Sequence, residues 1–111
     1  MSDVATETFR VVGPSGALGD NYVAPFYLAD LKLRVSVARV EGRLYGFDDL
    51  CTCAVPPCPL SGGLLSGTTI MCQCHGSRFD VATGAVLAGP AQRPIRTYRA
   101  REVDGNLEVV V

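Results

Sequence analysis

The chain has 111 residues, 48% of them hydrophobic, which is enough for one domain with a modest core. Its net charge is −1, from ten basic and eleven acidic side chains, so there is no electrostatic basis for binding nucleic acid. Twelve glycines and seven prolines predict many turns and few long helices. We therefore expect a single domain over residues 1–111.

The first half of the chain predicts short β-strands. Residues 9–12 and 22–28 are rich in β-branched and aromatic side chains, and a Gly-Pro-Ser-Gly turn lies between them. Residues 33–40 alternate apolar and polar side chains and are followed by Glu41-Gly42, which predicts a hairpin with residues 44–47. The alternation predicts a strand with Leu33, Val35 and Val37 on one face; Arg39 continues the pattern, but its charge leaves the phase open at that end.

The second half of the chain continues the β pattern. Residues 79–87 predict a hairpin around Ala82-Thr83-Gly84. A further hairpin joins a strand over 97–103 to a strand over 107–111 through Asp104-Gly105-Asn106. No window of 11 residues carries a helical stripe of apolar side chains, so the sequence predicts an all-β, antiparallel fold.

The side chains with metal chemistry are concentrated in one region. All five cysteines and the single histidine lie between residues 51 and 75, in the runs Cys51-Thr52-Cys53 and Cys72-Gln73-Cys74-His75-Gly76, with Cys58 between them. Thiolates and an imidazole gathered on two loops are what an iron–sulfur cluster or a zinc ion requires. The sequence therefore predicts a metal-site protein.

The first residues have neither a basic segment nor an apolar segment of a signal peptide, and no apolar run of about 18 residues predicts a membrane span. We therefore expect a cytoplasmic location and no membrane partner. In that compartment, cysteines are more often metal ligands than members of a disulfide framework.

The second cysteine run and its surroundings resemble the Rieske iron–sulfur family. The family motif Cys-x-x-His-Gly, commonly followed by Ser-x-Phe/Tyr-Asp, is matched at every position from Cys72 to Asp80. The Gly89-Pro90-Ala91 run is similar to the proline loop that covers the cluster in that family. The resemblance implies a Rieske-type antiparallel β-sandwich with a two-loop cluster-binding subdomain, its loops at about residues 48–63 and 70–92.

The resemblance also implies a [2Fe–2S] cluster and its ligands. Cys51 and Cys72 would hold the buried iron, and His75 the outer iron. The family has a second histidine where this chain has Cys53, and the loop from Cys51 to Cys58 is two residues longer than usual. Since the chain has no other histidine, the implied ligand set is Cys51, Cys53, Cys72 and His75.

The resemblance pairs Cys58 with Cys74 in a disulfide that bridges the two loops; the alternative is that Cys74 is a ligand in place of Cys53 or His75. Ser77 would donate its hydroxyl to a cluster sulfur, whereas Phe79 lacks the hydroxyl of the tyrosine found in high-potential members.

We also expect an apolar rim at the cluster tip, where a partner protein could dock. Three prolines and a leucine would form it: Pro56, Pro57, Leu60 and Pro90.

These features imply an electron carrier rather than an enzyme. Small members of the family are ferredoxins that pass one electron from a flavin-dependent reductase to a terminal oxygenase, and we expect a monomer with those partners. One alternative from another class is a structural zinc domain for protein interaction, with Cys51-x-Cys53 and Cys72-x-Cys74 as a four-cysteine site. Another is a Rieske-like subunit of a larger oxidoreductase complex.

Overall fold

The computed structural model describes residues 8–52 and 57–111, and every strand pairing in them is antiparallel. A terminal sheet has, in spatial order, β1 (Phe9–Pro14), β11 (Asn106–Val110) and β10 (Ala100–Val103). A central sheet has β2 (Tyr22–Leu28), β3 (Leu33–Val40), β4 (Arg43–Asp48) and β9 (Thr97–Tyr98). A small sheet has β5 (Leu64–Ser66), β6 (Thr69–Met71), β7 (Arg78–Asp80) and β8 (Val86–Ala88).

Helical structure in the described residues is limited to two 3-10 helices of three residues each, Ser15–Ala17 and Leu60–Gly62. The prediction of an all-β, antiparallel fold is therefore confirmed. None of the described helices has the length and apolar character needed to cross a membrane.

Two of the predicted hairpins turn through residues with positive φ. Glu41 and Gly42 have φ values of 51° and 80°, and they join β3 to β4 with Val40 opposite Arg43. Asp104 and Gly105 repeat the pattern with 51° and 79° between β10 and β11. Two consecutive residues with positive φ match the twist of the flanking strands, which is why such turns close tight hairpins. Both predicted hairpins are confirmed.

The central sheet carries a hydrophobic core on each of its faces. On one face Val37 packs with Leu107 and Val109 of the terminal sheet. On the other face Ala38 belongs to a core with Phe47 and Phe79, which reaches the small sheet. Both faces of β3 are buried, since Ser36 and Ala38 are as fully buried as Val35 and Val37. Since the strand lies in the middle layer of three sheets, its small alternate residues are covered as well.

Two strand predictions also differ from the structure. The strand predicted over residues 97–103 is divided at Arg99: β9 pairs with β4, with Tyr98 opposite Gly46, and β10 pairs with β11. The chain therefore leaves the central sheet for the terminal sheet at a position that no glycine or proline marks. The β5–β6 hairpin, which turns at Gly67 with a φ of 57°, was not predicted at all.

Gly84 provides a test of this packing. Its φ is +83°, and a Cβ there would lie 2.1 Å from the carbonyl oxygen of Ile95. Gly105 has a similar φ of +79° but nothing within 4 Å of the corresponding position. Both alanine variants therefore place a side chain on a residue with positive φ, and only Gly84→Ala also brings a Cβ against the carbonyl oxygen of Ile95. We expect Gly84→Ala to lower the free energy of unfolding by about 1–3 kcal/mol more than Gly105→Ala, as overpacking does.

Chemical denaturation of the two variants and the parent protein measures this difference. Equal losses for Gly84→Ala and Gly105→Ala would contradict the close contact between Gly84 and the Ile95 carbonyl.

Candidate metal centre

The first ligand loop is closed on itself by backbone contacts. The Cys51 N–H donates to the Cys58 carbonyl oxygen at 2.9 Å, and Leu50 and Pro59 form an isolated β-bridge. These contacts hold Cys51 in the core, where it is 3% exposed. Cys53, a predicted ligand, lies outside the described residues, as does Pro56.

The second ligand loop is a tight turn between β6 and β7. The Cys72 N–H donates to the Ser77 carbonyl oxygen at 2.7 Å, and the Gly76 N–H donates to the Cys72 carbonyl oxygen at 3.0 Å. Gly76 has a φ of +78°, the left-handed conformation that favours glycine. As a result Cys72 is completely buried while His75 is exposed. The turn thus separates a buried thiol from an imidazole at the surface.

A disulfide joins the two loops. The structure bonds Cys58 to Cys74, the pairing that the resemblance implies. The sulfur atoms of Cys58, Cys72 and Cys74 all lie within 4.8 Å of one another, so the disulfide lies beside the buried thiol. Because the Cys74 sulfur is bonded to Cys58, it is not available as a thiolate ligand in this structure. The four-cysteine zinc site predicted as an alternative needs that thiolate.

The segment after Pro90 crosses both ligand loops. The Ala91 N–H donates to the Ser77 Oγ at 2.9 Å, and the Thr52 Oγ1 donates to the Arg93 carbonyl oxygen at 2.6 Å. Ser77 is completely buried, and since its oxygen accepts this bond its own hydrogen is oriented for a further acceptor. This geometry suits the predicted role of Ser77 as a donor to a cluster sulfur.

One described residue of the expected apolar rim, Leu60, has different surroundings from the others. Leu60 is completely buried and belongs to the core shared with Phe79, so its assignment to the rim is wrong. It begins a 3-10 helix that folds back under the first loop. Pro57 and Pro90 are exposed, as a rim requires. Phe79 is completely buried and packs in the core.

Sequence reasoning missed Asp49, whose buried carboxylate anchors the first loop. Its Oδ1 accepts hydrogen bonds from the Ser36 Oγ at 2.7 Å and from the Ser61 N–H at 2.8 Å, and its Oδ2 accepts one from Arg34. The carboxylate is completely buried, whereas Arg34 is 41% exposed. The loop is thus fixed to β3 on one side and to the residues after Cys58 on the other. No local pattern marks this contact, because Ser36 occupies an ordinary polar position in the predicted alternation of residues 33–40.

Asp48, the residue before Asp49, connects the same loop to β9. It accepts a hydrogen bond from the Tyr98 hydroxyl, and the guanidinium of Arg96 lies 3.6 Å from its other oxygen. Burial, together with the hydrogen bond to Asp48 and the negative charge of that carboxylate, raises the pKa of Tyr98 well above its usual value of 10.0. The phenol therefore stays protonated, and stays a donor to Asp48, throughout the neutral range.

The described side chains fit a [2Fe–2S] cluster. Cys72 is a buried thiol and Cys51 is a buried cysteine on two loops that the Cys58–Cys74 disulfide holds together, and His75 is exposed on the second loop. The Cys51 sulfur is itself disulfide-bonded in this structure, so it has to be reduced before it can be a ligand. In this arrangement the two cysteines can hold one iron inside the protein, and His75 can hold the other iron near the surface. Ser77 adds a buried hydroxyl donor, the kind of outer contact that tunes such a site.

The chain matches the family model of the Rieske [2Fe–2S] domain over residues 8–99. This match covers well over half of the chain, and the chain therefore belongs to the Rieske [2Fe–2S] family. Its cofactor is accordingly a [2Fe–2S] cluster, which decides against the structural zinc domain as the alternative.

Several named proteins are similar to this chain. The ferredoxin component of the naphthalene 1,2-dioxygenase/salicylate 5-hydroxylase systems of Ralstonia sp is 41% identical over 64 residues, which are 58% of this chain and 60% of that protein. The chain thus spans about 60% of the length of this curated relative. Sulredoxin of Sulfurisphaera tokodaii is 33% identical over 85 residues, covering 69% of this chain and 76% of sulredoxin.

Among solved structures, the ferredoxin of Sphingomonas yanoikuyae B1 superposes with a TM-score of 0.83 at 31% identity, covering 94% of this chain and 99% of that one. The Rieske-type antiparallel fold predicted from the sequence is therefore confirmed.

The contacts of Asp49 give a test of loop anchoring. Asp49→Ala would leave the Ser36 hydroxyl and the Arg34 guanidinium without their acceptor. Removing one member of a buried ion pair costs about 3–5 kcal/mol, and we expect the lower end because Arg34 is 41% exposed and partly screened by water. Asp49→Asn keeps an acceptor oxygen and should lose less.

Denaturant unfolding gives the stability of each variant, and the iron content per chain gives the retention of the cluster. Asp80→Ala, which removes only a turn contact to the Ala82 N–H, is the matched control. Full cluster retention and unchanged stability in Asp49→Ala would show that Asp49 does not anchor the loop.

Proposed function

We propose that the protein is a one-electron carrier, a Rieske-type ferredoxin that takes an electron from a flavin-dependent reductase and delivers it to a terminal oxygenase. One observation carries this proposal: two buried cysteines, Cys51 and Cys72, and the exposed imidazole of His75 lie on two loops that a disulfide joins. When bound, a [2Fe–2S] cluster accepts and releases one electron. His75 then gives the cluster an edge at the surface, where a partner protein can approach.

The proposed ligands are Cys51, Cys53, Cys72 and His75. The burial of Cys51 and Cys72 supports their assignment to the inner iron, and the exposure of His75 supports its assignment to the outer iron. Cys53 is proposed because it occupies the position of the second histidine in the family motif. The Cys58–Cys74 disulfide is the pairing that the resemblance implies, and it supports this choice over Cys74. The two loops, at about residues 48–63 and 70–92, belong to one domain over residues 1–111.

The proposed partners rest on the names of relatives. Ferredoxin components of dioxygenase systems are among the similar proteins, and solved structures with this fold include a complex of oxygenase and ferredoxin from carbazole 1,9a-dioxygenase. We propose that this chain works as a cytoplasmic monomer between its own reductase and oxygenase. The carrier has no substrate pocket of its own in this proposal, because it transfers only an electron.

Electron transfer can be tested with purified components. The cluster-loaded protein should be reduced by NADH only when a reductase component of a naphthalene dioxygenase system is present, and should be reoxidised when the oxygenase component is added. Loss of visible absorbance followed by its recovery measures the two steps. A control lacking the reductase should stay oxidised. Absence of cluster absorbance, or no reduction by any flavin reductase tested, would contradict a carrier function.

The ligand set predicts a low reduction potential. An oxidised cluster core of charge +2 with three thiolates and one neutral imidazole has a net charge of −1, whereas two thiolates and two imidazoles give zero. Adding an electron to an anionic site in a poorly screening interior is harder. Two-histidine centres have reduction potentials of about −150 to +300 mV, and plant-type ferredoxins have potentials of about −400 mV. The reduction potential of this protein should therefore lie below the first range and above the second value.

Voltammetry and electron paramagnetic resonance of the parent protein, Cys53→His and Cys53→Ser test this assignment. Cys53→His should raise the potential and give the low average g-value of a two-histidine centre, while Cys53→Ser should weaken or abolish cluster binding. If both variants keep the parent spectrum, Cys53 is not a ligand.

A further inference from the structure

The Cys58–Cys74 disulfide lies where the two ligand loops meet. It joins one residue of each loop, 16 positions apart in the chain. Cys74 is exposed and Cys58 is half-buried, whereas Cys72, two residues before Cys74, is completely buried. The disulfide can therefore be reached from solvent on its Cys74 side, although the sulfur of the buried Cys72 lies within 4.8 Å of both of its sulfur atoms.

A disulfide with an exposed end is uncommon in the compartment proposed for this protein. The cytoplasm keeps most thiols reduced, and the disulfides that do form there are usually transient, with catalytic or redox-sensing roles. An attacking thiolate must reach one of the two sulfur atoms, so exposure favours exchange. The position of Cys74 is thus typical of a reactive disulfide rather than of one buried for stability alone.

The other links between the loops are weaker than this covalent bond. Two single hydrogen bonds run through the segment from Pro90 to Arg93: the Ala91 N–H donates to the Ser77 Oγ at 2.9 Å, and the Thr52 Oγ1 donates to the Arg93 carbonyl oxygen at 2.6 Å. The second bond joins exposed groups, for which water competes. Opening the disulfide therefore leaves the loops joined only by hydrogen bonds and shared packing in the part of the chain that the structure describes.

Opening the disulfide also places two new thiols beside a proposed ligand. The sulfur atoms of Cys58, Cys72 and Cys74 lie within 4.8 Å of one another, so both new thiols arise close to Cys72. Cysteine thiolates are the usual ligands of iron–sulfur clusters, and each new thiol can compete for the iron that Cys72 holds. Loss of the covalent link and competition for iron act in the same direction, since both weaken the retention of the cluster.

We propose that Cys74 is a site of thiol–disulfide exchange with a dithiol reductant, and that the Cys58–Cys74 disulfide is a redox latch on the metal centre. One thiolate of the reductant attacks the Cys74 sulfur, the bond to Cys58 breaks, and Cys58 leaves as a thiolate that takes up a proton. The second thiol of the reductant then attacks the mixed disulfide and releases Cys74 as a thiol, so the reductant gains the disulfide that the protein loses. This inference rests on the proposed carrier function and cytoplasmic location, and it adds a regulation of the same site.

The redox latch can be tested on the cluster-loaded protein in oxygen-free buffers that contain reduced and oxidised dithiothreitol at graded ratios. Alkylation and peptide mass spectrometry report the thiols at each cysteine, and visible absorbance reports the cluster. Cys58 and Cys74 should become alkylated together while the cluster is still present. The cluster absorbance should then decay roughly tenfold faster than in the oxidised buffer, which is less than the full effect of a disulfide across about 15 residues because the cluster also links the loops.

Three results of this series would overturn the proposal: a disulfide that stays closed until the cluster is lost, a disulfide that forms in none of the buffers, and a cluster lifetime that is equal in all of them. The double variant Cys58→Ser/Cys74→Ser is the matched control, because it cannot form the disulfide. Its cluster should decay at the fast rate in every buffer. A decay that still follows the dithiothreitol ratio would show that the reagent attacks the cluster directly. The series on the parent protein does not depend on whether this variant takes up a cluster.

The failure of the redox latch and the failure of the carrier function give different results. Cluster absorbance and its loss on reduction by the reductase component are recorded first in every sample. A chain without a redox-active cluster would refute the carrier function. A cluster that accepts and releases electrons but does not respond to the state of the disulfide would refute only the redox latch.

Discussion

The geometry of the metal centre depends on a carboxylate buried under it. Asp49 lies two residues before Cys51, and its three hydrogen-bond donors come from β3 and from the chain just after Cys58. A buried charge is costly unless hydrogen bonds and an opposite charge satisfy it, and here Arg34 and Ser36 do so. Both ends of the first ligand loop are consequently fixed to one point on the central sheet.

The second loop is positioned by connections to the first rather than by the sheet alone. The disulfide and the segment from Pro90 to Arg93 join the two loops at separate points. Each loop is an irregular segment that would lose much conformational entropy on ordering by itself. Cross-links between them share that loss, so two buried cysteines from different parts of the chain, Cys51 and Cys72, are ordered on joined loops.

The two buried cysteines and the exposed imidazole lie at different depths in the protein. Cys51 and Cys72 lie in the core between the central and small sheets, whereas His75 lies outside it. A two-sided central sheet makes this possible, because one of its faces packs on the terminal sheet and leaves the other for the metal centre. Both faces of the central sheet therefore carry a hydrophobic core, and Cys51 and Cys72 belong to the core on the side of the small sheet.

The sequence by itself determined what depends on neighbouring residues: the bounds of β2 and β3, and the turns at Glu41-Gly42 and Asp104-Gly105. Local backbone preference and spacing carry that information. Only the tertiary structure decided that Leu60 is buried, that the strand after β9 changes sheets at Arg99, and that Asp49 anchors the first loop. Burial and hydrogen-bond partners arise from residues distant in the chain, which no local pattern records.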